Sequence, residues 1–120
     1  LKAELISWAA GILEGEGCFS LFYKTHKSGN TTPQFAIHCE MTDKDVIDNL
    51  KFIFGKGTIN TRTNSKRLCK DGSKRKTTYI WSVQKQADVF DILLRLAPYM
   101  GVRRKAKIAE MLNLLEEKFI

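Results

Sequence analysis

Twice in 120 residues, two runs of alternating apolar and polar side chains are followed by a run with apolar side chains at helical spacing. That duplication limits the folds open to the chain more than any other feature. In residues 18–26, Phe19, Leu21 and Tyr23 alternate with Ser20, Lys24 and His26. In residues 34–41, Phe35, Ile37, Cys39 and Met41 alternate with Gln34, His38 and Glu40. Ser28-Gly29-Asn30 and Pro33 are expected to form the loop of this hairpin. Thr42, with Asp45 three residues on, resembles a helix cap; Val46, Ile47, Leu50, Ile53 and Phe54 then fall at helical intervals up to Gly55. The second round has strands over 58–64 and 77–84, joined through Asp71-Gly72, with Ile59, Tyr79, Trp81 and Val83 facing inward. Its helix is expected to turn Phe90, Leu93, Leu94 and Ala97 to one side and to stop at Pro98.

Two further helices complete the pattern. Apolar residues dominate from Leu5 to Leu13, and the Gly15 and Gly17 pair is expected to end this first helix. The last carries Ile108, Met111, Leu112, Leu115 and Phe119 behind the basic cluster Arg103-Arg104-Lys105. The fold class is therefore α+β, in the order helix, strand pair, helix, strand pair, helix, helix, with a four-stranded antiparallel or mixed sheet and helices on one face. With 43% hydrophobic and 28% charged residues, the length suits one core, so residues 1–120 are read as a single domain.

The other sheet face is polar or basic on all four strands, which leaves it free for a ligand as broad as a nucleic-acid groove. Charge points the same way. Between Lys56 and Lys76 stand eight basic residues against one acid, while the rest of the chain carries twelve of each sign. A field so concentrated suits a polyanion, whose phosphates release counterions when neutralised.

Several classes are excluded. No apolar stretch is long enough to cross a bilayer and no leader opens the chain, so an intracellular protein without a membrane partner is expected. A start at Leu1 rather than Met points to a natural beginning further upstream. Cys18, Cys39 and Cys69 are widely spaced with no CxxC pair, against both a disulfide framework and a zinc cluster; the first two belong in the core or on a sheet face.

In the first helix, Ser7, Gly11 and Gly15 lie four apart, a stripe of small residues along which a second backbone can approach. An acid, Glu16, ends it. The stretch Trp8-Ala9-Ala10-Gly11-Ile12-Leu13-Glu14-Gly15-Glu16-Gly17 resembles the LAGLIDADG motif of homing endonucleases, in the variant written WLAGF(I/V)DGEG. Ala9 replaces the first leucine and Glu14 the first aspartate. The small residues, the aliphatic pair, the last acid and the last glycine match, and the repeated strand-strand-helix order resembles that family's αββαββα architecture.

The resemblance implies a site-specific DNA endonuclease making a staggered double-strand cut by Mg²⁺-dependent phosphodiester hydrolysis, with Ca²⁺ replacing Mg²⁺ in a non-cleaving complex. It implies two motif helices packed side by side, at Ser7, Trp8, Gly11, Ile12 and Gly15. Two sheets then form a saddle over the DNA, and each copy gives its last acid to divalent metal: here Glu16, with the Gly15 backbone carbonyl. Such chemistry needs an activated water and a neutralised leaving oxygen, which Mg²⁺ supplies while held by few carboxylates. Glu14 is read as supporting. A polar residue after the second strand, matched by position at Asp43, and a basic residue at the start of the last helix, Arg103 or Lys105, are implied near the attacking water. Lys105 has a tunable amine, whereas Arg103 can only stabilise charge.

Alternation and the resemblance together place base reading at Ser20, Phe22, Lys24, His26, Gln34, His38, Glu40, Thr58, Asn60, Arg62, Lys74, Lys76, Thr78 and Ile80, with Lys66 and Arg67 of the basic loop added for DNA contact. One motif per chain implies a homodimer on a long pseudo-palindromic duplex, serving intron homing. Half of a two-repeat enzyme is the alternative pairing. Non-cleaving relatives, intron maturases or DNA-binding regulators, and a metal-free RNA-binding protein are the alternative functions.

Overall fold

The computed structural model describes residues 2–63, 72 and 76–119. Its elements run α1 (Ala3–Glu16), β1 (Gly17–Thr25), β2 (Thr31–Met41), α2 (Lys44–Phe54), β3 (Thr58–Arg62), β4 (Thr78–Val83), α3 (Gln86–Leu96), a 3₁₀ turn (Ala97–Tyr99) and α4 (Val102–Phe119). The strands form one sheet in the order β1-β2-β4-β3, every neighbouring pair antiparallel. The two hairpins therefore meet through their second strands, and β1 and β3 are the edges.

Alternation sorts the side chains as the sequence requires. Gly17 and Phe19 lie opposite Cys39 and Ile37, which in turn lie opposite Trp81 and Val83, and all face the helices. Against them pack Ile6, Ala9, Ala10 and Leu13 of α1, Ile47, Leu50, Ile53 and Phe54 of α2, and residues of α3 and α4, all buried in one cluster. Trp81 is its centre: fully buried, stacked on Phe54 at 5.6 Å between ring centroids, with Nε1 donating to the Lys56 carbonyl at 2.9 Å. No described helix is long and apolar enough to cross a membrane.

Four expectations change. Pro33 belongs to β2, opposite Tyr23, and not to the loop. Its carbonyl accepts from Gln86 Nε2 at 3.3 Å, so this residue's backbone points away from β1 and its missing N–H leaves the β1 ladder whole. Asp43, not Thr42, is the N-cap of α2, and it caps without a side-chain bond. The inward face of α3 is Val89, Ile92, Leu93 and Leu96, while Leu94 is exposed. Phe90 and Ala97 of the Phe90-Leu93-Leu94-Ala97 reading pack at the edge of this face, and only Leu94 falls outside it. Finally, β3 ends at Arg62, and Asn64 lies outside the described residues.

Candidate functional site

Everything at the site follows from how α1 becomes β1. Glu16 is the last residue of the helix and Gly17 the first of the strand, with no linker between them. Gly17 is extended and donates its N–H to the Leu13 carbonyl, closing the last turn. A Cβ there would lie 2.6 Å from that carbonyl oxygen and 3.0 Å from Leu13 Cα. Only a residue without a side chain fits so close to backbone. Gly17→Ala is expected to lower unfolding free energy by about 1–3 kcal/mol in urea titration, the usual cost of overpacking; unchanged stability would show that the turn relaxes freely.

This turn leaves Glu16 exposed at the C-terminal end of α1. The aligned peptide dipoles place partial negative charge there, and the last turn contains no basic residue. Nor does Glu16 form an ion pair or side-chain hydrogen bond among the described residues. A carboxylate on a negative helix end, without a partner, favours a cation beside it. Among the described residues no three His, Cys, Asp or Glu side chains gather as a metal cage. One chain thus offers one carboxylate and the exposed end of a helix at Gly15, a donor set suited to an ion that takes its remaining ligands from phosphate, water or a second carboxylate.

Around the junction, Arg103 lines a groove of about 480 Å³ with Gly17, Cys18, Phe19, Arg104 and Lys107. Lys105 is exposed and does not line that groove. Asp43 caps α2, beyond the end of β2, and the residue directly across from Gly17 is Cys39. Burial pushes the Cys39 thiol up to about 11, and the nearby negative charge of Glu16 adds to the shift. An unfolded chain would release that proton near the ordinary value of 9.0. Cys39 thus contributes stability that is present below pH 9 and declines as pH rises toward 11. Unfolding titrations of wild type and Cys39→Ser should converge through that window; a constant gap would show that the thiol does not titrate there.

The sheet's open face collects the expected base readers. Ser20, Phe22, Lys24, Gln34, His38, Glu40, Thr58, Asn60, Arg62, Thr78 and Ile80 share one parity of the register, opposite to that of the core. His26 joins them through Nε2 to Thr32 Oγ1 at 2.8 Å. Glu40 is tied to two of its fellows, accepting from Thr78 Oγ1 at 2.5 Å and lying 3.3 Å from Arg62 Nη1. Exposed pairs of this kind add little stability; they set where the Arg62 guanidinium points. Lys76 is exposed, while Lys66, Arg67 and Lys74 lie outside the described residues. Cys18, Thr32, Ala36 and Ser82 share the face as well. The parity of alternation alone would have found them.

On α1, Ile6, Ala9, Ala10 and Leu13 face the core, and Ser7, Trp8, Gly11 and Gly15 are exposed, with Ile12 between the two sets. A Cβ at Gly11 or Gly15 would touch nothing within 4 Å. Their smallness therefore serves no contact among the described residues. Beside the stripe, Trp8 borders a groove with Val46, Asn49 and Phe52, and Phe52 is 78% exposed.

No protein-family model matches the chain, and no curated protein matches it. Solved structures do. The homing endonuclease I-CvuI, crystallised with the I-CreI target and Mg²⁺ with the DNA uncleaved, superposes at a TM-score of 0.71 and 18% identity over 95% of this chain and 68% of its own. The LAGLIDADG homing endonuclease I-GzeII, in complex with its DNA target, gives 0.72 at 15% identity over 99% of this chain and 36% of its own. The archaeal intron-encoded I-Vdi141I, complexed with DNA, gives 0.65 at 19% identity over 90% and 66%. The chain thus spans about two thirds of the first and third and about a third of the second. At such identities the likeness is one of fold: the four-stranded antiparallel sheet with its helices matches the fold of LAGLIDADG homing endonucleases.

Proposed function

We propose that this chain, with its LAGLIDADG-endonuclease fold, is the subunit of a divalent-metal-dependent DNA endonuclease that cuts both strands of a pseudo-palindromic duplex as a homodimer. The observation that carries this reading is the position of Glu16. Among the described residues it is an unpaired carboxylate at the corner where the uncovered small-residue face of α1 meets the junction with the open sheet.

Two copies packed along Ser7, Gly11 and Gly15 would bring two Glu16 carboxylates together. Like charges so close stabilise a bound cation between or beside them. Glu16, with the Gly15 carbonyl, would hold Mg²⁺, which supplies an acidified water and neutralises a leaving phosphate oxygen. The chain's own groups do the rest. Arg103, beside Gly17 and Cys18 in the groove, is placed to hold a phosphate and offset negative charge; a guanidinium does this without losing its proton. The open face supplies orientation: Arg62, Lys24 and Lys76 toward guanine or phosphate, Asn60 and Gln34 toward adenine, Phe22 and Ile80 toward thymine methyls. Exposed Trp8 and Phe52 flank the stripe and would be covered by a partner. The second pairing, one repeat of a longer chain, is favoured by the 36% share of I-GzeII that this fold occupies.

The test starts from a randomised duplex library, incubated with the protein and Ca²⁺ and enriched for bound DNA. A two-fold-symmetric consensus is the expected outcome. An asymmetric consensus would favour a two-repeat protein, and no enrichment would exclude site-specific DNA binding.

A further inference from the structure

Two residues before Glu16, the acid Glu14 turns away from the open face and toward the start of α4. Its side chain is seated against the Gly101 backbone so closely that a Cβ on residue 101 would collide with Oε1. Arg104, three residues further on, reaches back to it. Arg104 Nη2 donates to the Glu14 carbonyl at 3.3 Å, Nε stands 4.0 Å from Glu14 Oε2, and the guanidinium lies over the Phe19 ring at 5.6 Å. The Arg104 side chain is only 14% exposed, unlike the neighbouring Arg103 and Lys105.

One guanidinium thus touches both sides of the Glu16-Gly17 junction: the last turn of α1 through Glu14 and the start of β1 through Phe19. The Glu14 carbonyl is among those a helix leaves unsatisfied at its C-terminal end. Arg104 fills that vacancy and brings positive charge to the negative pole of the helix. Planarity lets it bond at its edge and stack on its face at once, which an ammonium cannot do. Glu14 Oε2 and Arg104 Nε are buried with no hydrogen-bond partner among the described residues, so at 4.0 Å these two charged atoms answer chiefly to one another. Gly101 is the complementary part, since any side chain there would evict the Glu14 carboxylate.

We propose that Arg104, working with Glu14 and Gly101, is the positioning residue for Glu16: it clamps the last turn of α1 onto β1 and α4, fixing where the Glu16 carboxylate presents itself to metal. The assignment rests on the nuclease reading for its consequence and on the protein alone for its geometry, and each can be measured separately. Arg104 is only 14% exposed and its guanidinium is engaged by Glu14 and Phe19, so its loss should act on metal use far more than on metal-free DNA affinity.

Amide hydrogen exchange of wild type, Arg104→Ala and Arg104→Lys reads the clamp without DNA. Protection at residues 14–19 should fall about tenfold in Arg104→Ala, recover in part in Arg104→Lys, and stay constant in α2 and α3. On a library-selected duplex, the Mg²⁺ concentration for half-maximal cutting and the Ca²⁺ concentration for half-maximal tightening of binding should both rise about tenfold, as for other residues that orient metal ligands. Binding in EDTA should stay within about twofold of wild type. Should Arg104→Ala fail to fold, Arg104→Gln, which keeps a planar donor without the charge, is read in the same way. Uniform loss of protection, or local loss with an unchanged metal requirement, would overturn the assignment by showing a merely structural role. A wild-type protein that never cuts would instead overturn the nuclease reading, while the exchange profile still decides for or against the clamp.

Discussion

Glu16→Gln is expected to abolish metal-dependent cutting while leaving duplex binding intact. The substitution keeps the size of the side chain and its exposure and removes only the negative charge. Because Glu16 has no ion pair among the described residues, no described charge is left uncompensated. The helix end should even gain slightly, since a neutral amide replaces a carboxylate at the negative pole. Loss of metal charge at a reacting phosphate is worth several kcal/mol, so cleavage should fall by about three orders of magnitude or more. Binding in the absence of metal should be equal or tighter, because a negative group has been removed from a surface that meets phosphates. Titration of wild type and variant on the same labelled duplex, with and without Mg²⁺, separates the two effects. Equal cutting by both proteins would take Glu16 out of the site.

The second large effect is expected at Gly11. This position is exposed and a Cβ there would meet nothing within 4 Å among the described residues, so Gly11→Leu should be tolerated, and the better helix former should stabilise the fold by roughly 0.5–1 kcal/mol. Between two copies packed on this stripe the same side chain would occupy the space of the partner backbone. The variant should therefore melt no lower than wild type, sediment as a monomer at concentrations where wild type is dimeric, and lose double-strand cutting by at least about a hundredfold. Opposite signs for stability and activity distinguish this from ordinary core damage, which lowers both. A dimeric, active Gly11→Leu protein would place the contact between copies elsewhere.

The faces of the sheet were legible because alternation needs only local sequence. Every expected base reader within the described strands has the open-face parity, and Phe19, Ile37, Trp81 and Val83 have the other. Register was harder to read, and a proline is the reason. A hairpin loop running on to Pro33, so that His26 met Gln34, would set Asp43 across from Gly17. The loop in fact closes within His26–Asn30 and Pro33 is accommodated in β2, which slides the strand by four residues and brings Cys39 opposite Gly17. Leu94 of α3 was misplaced because Leu93 and Leu94 are both apolar and only packing decides which is inside. The Arg104–Glu14 contact joins residues 90 positions apart and leaves no periodic trace. In the sequence Arg104 is one of three basic neighbours; burial beneath the end of α1 is what separates it from Arg103 and Lys105.

The division of labour that emerges is spatial. Gly17 forces the turn that ends α1, the small-residue stripe leaves one helix face uncovered among the described residues, and the antiparallel sheet offers a polar face across four strands. None of these parts makes a nuclease alone. Under the proposed function, their meeting at Glu16 would, once two such corners come together on DNA.

Conversion of supercoiled plasmid carrying the library-selected duplex tests that claim most directly. With Mg²⁺ the expected product is full-length linear DNA with staggered ends, and with Ca²⁺ or EDTA the plasmid should remain supercoiled. Bound but supercoiled plasmid at saturating protein and Mg²⁺ would contradict the endonuclease and leave a DNA-binding protein of the same fold.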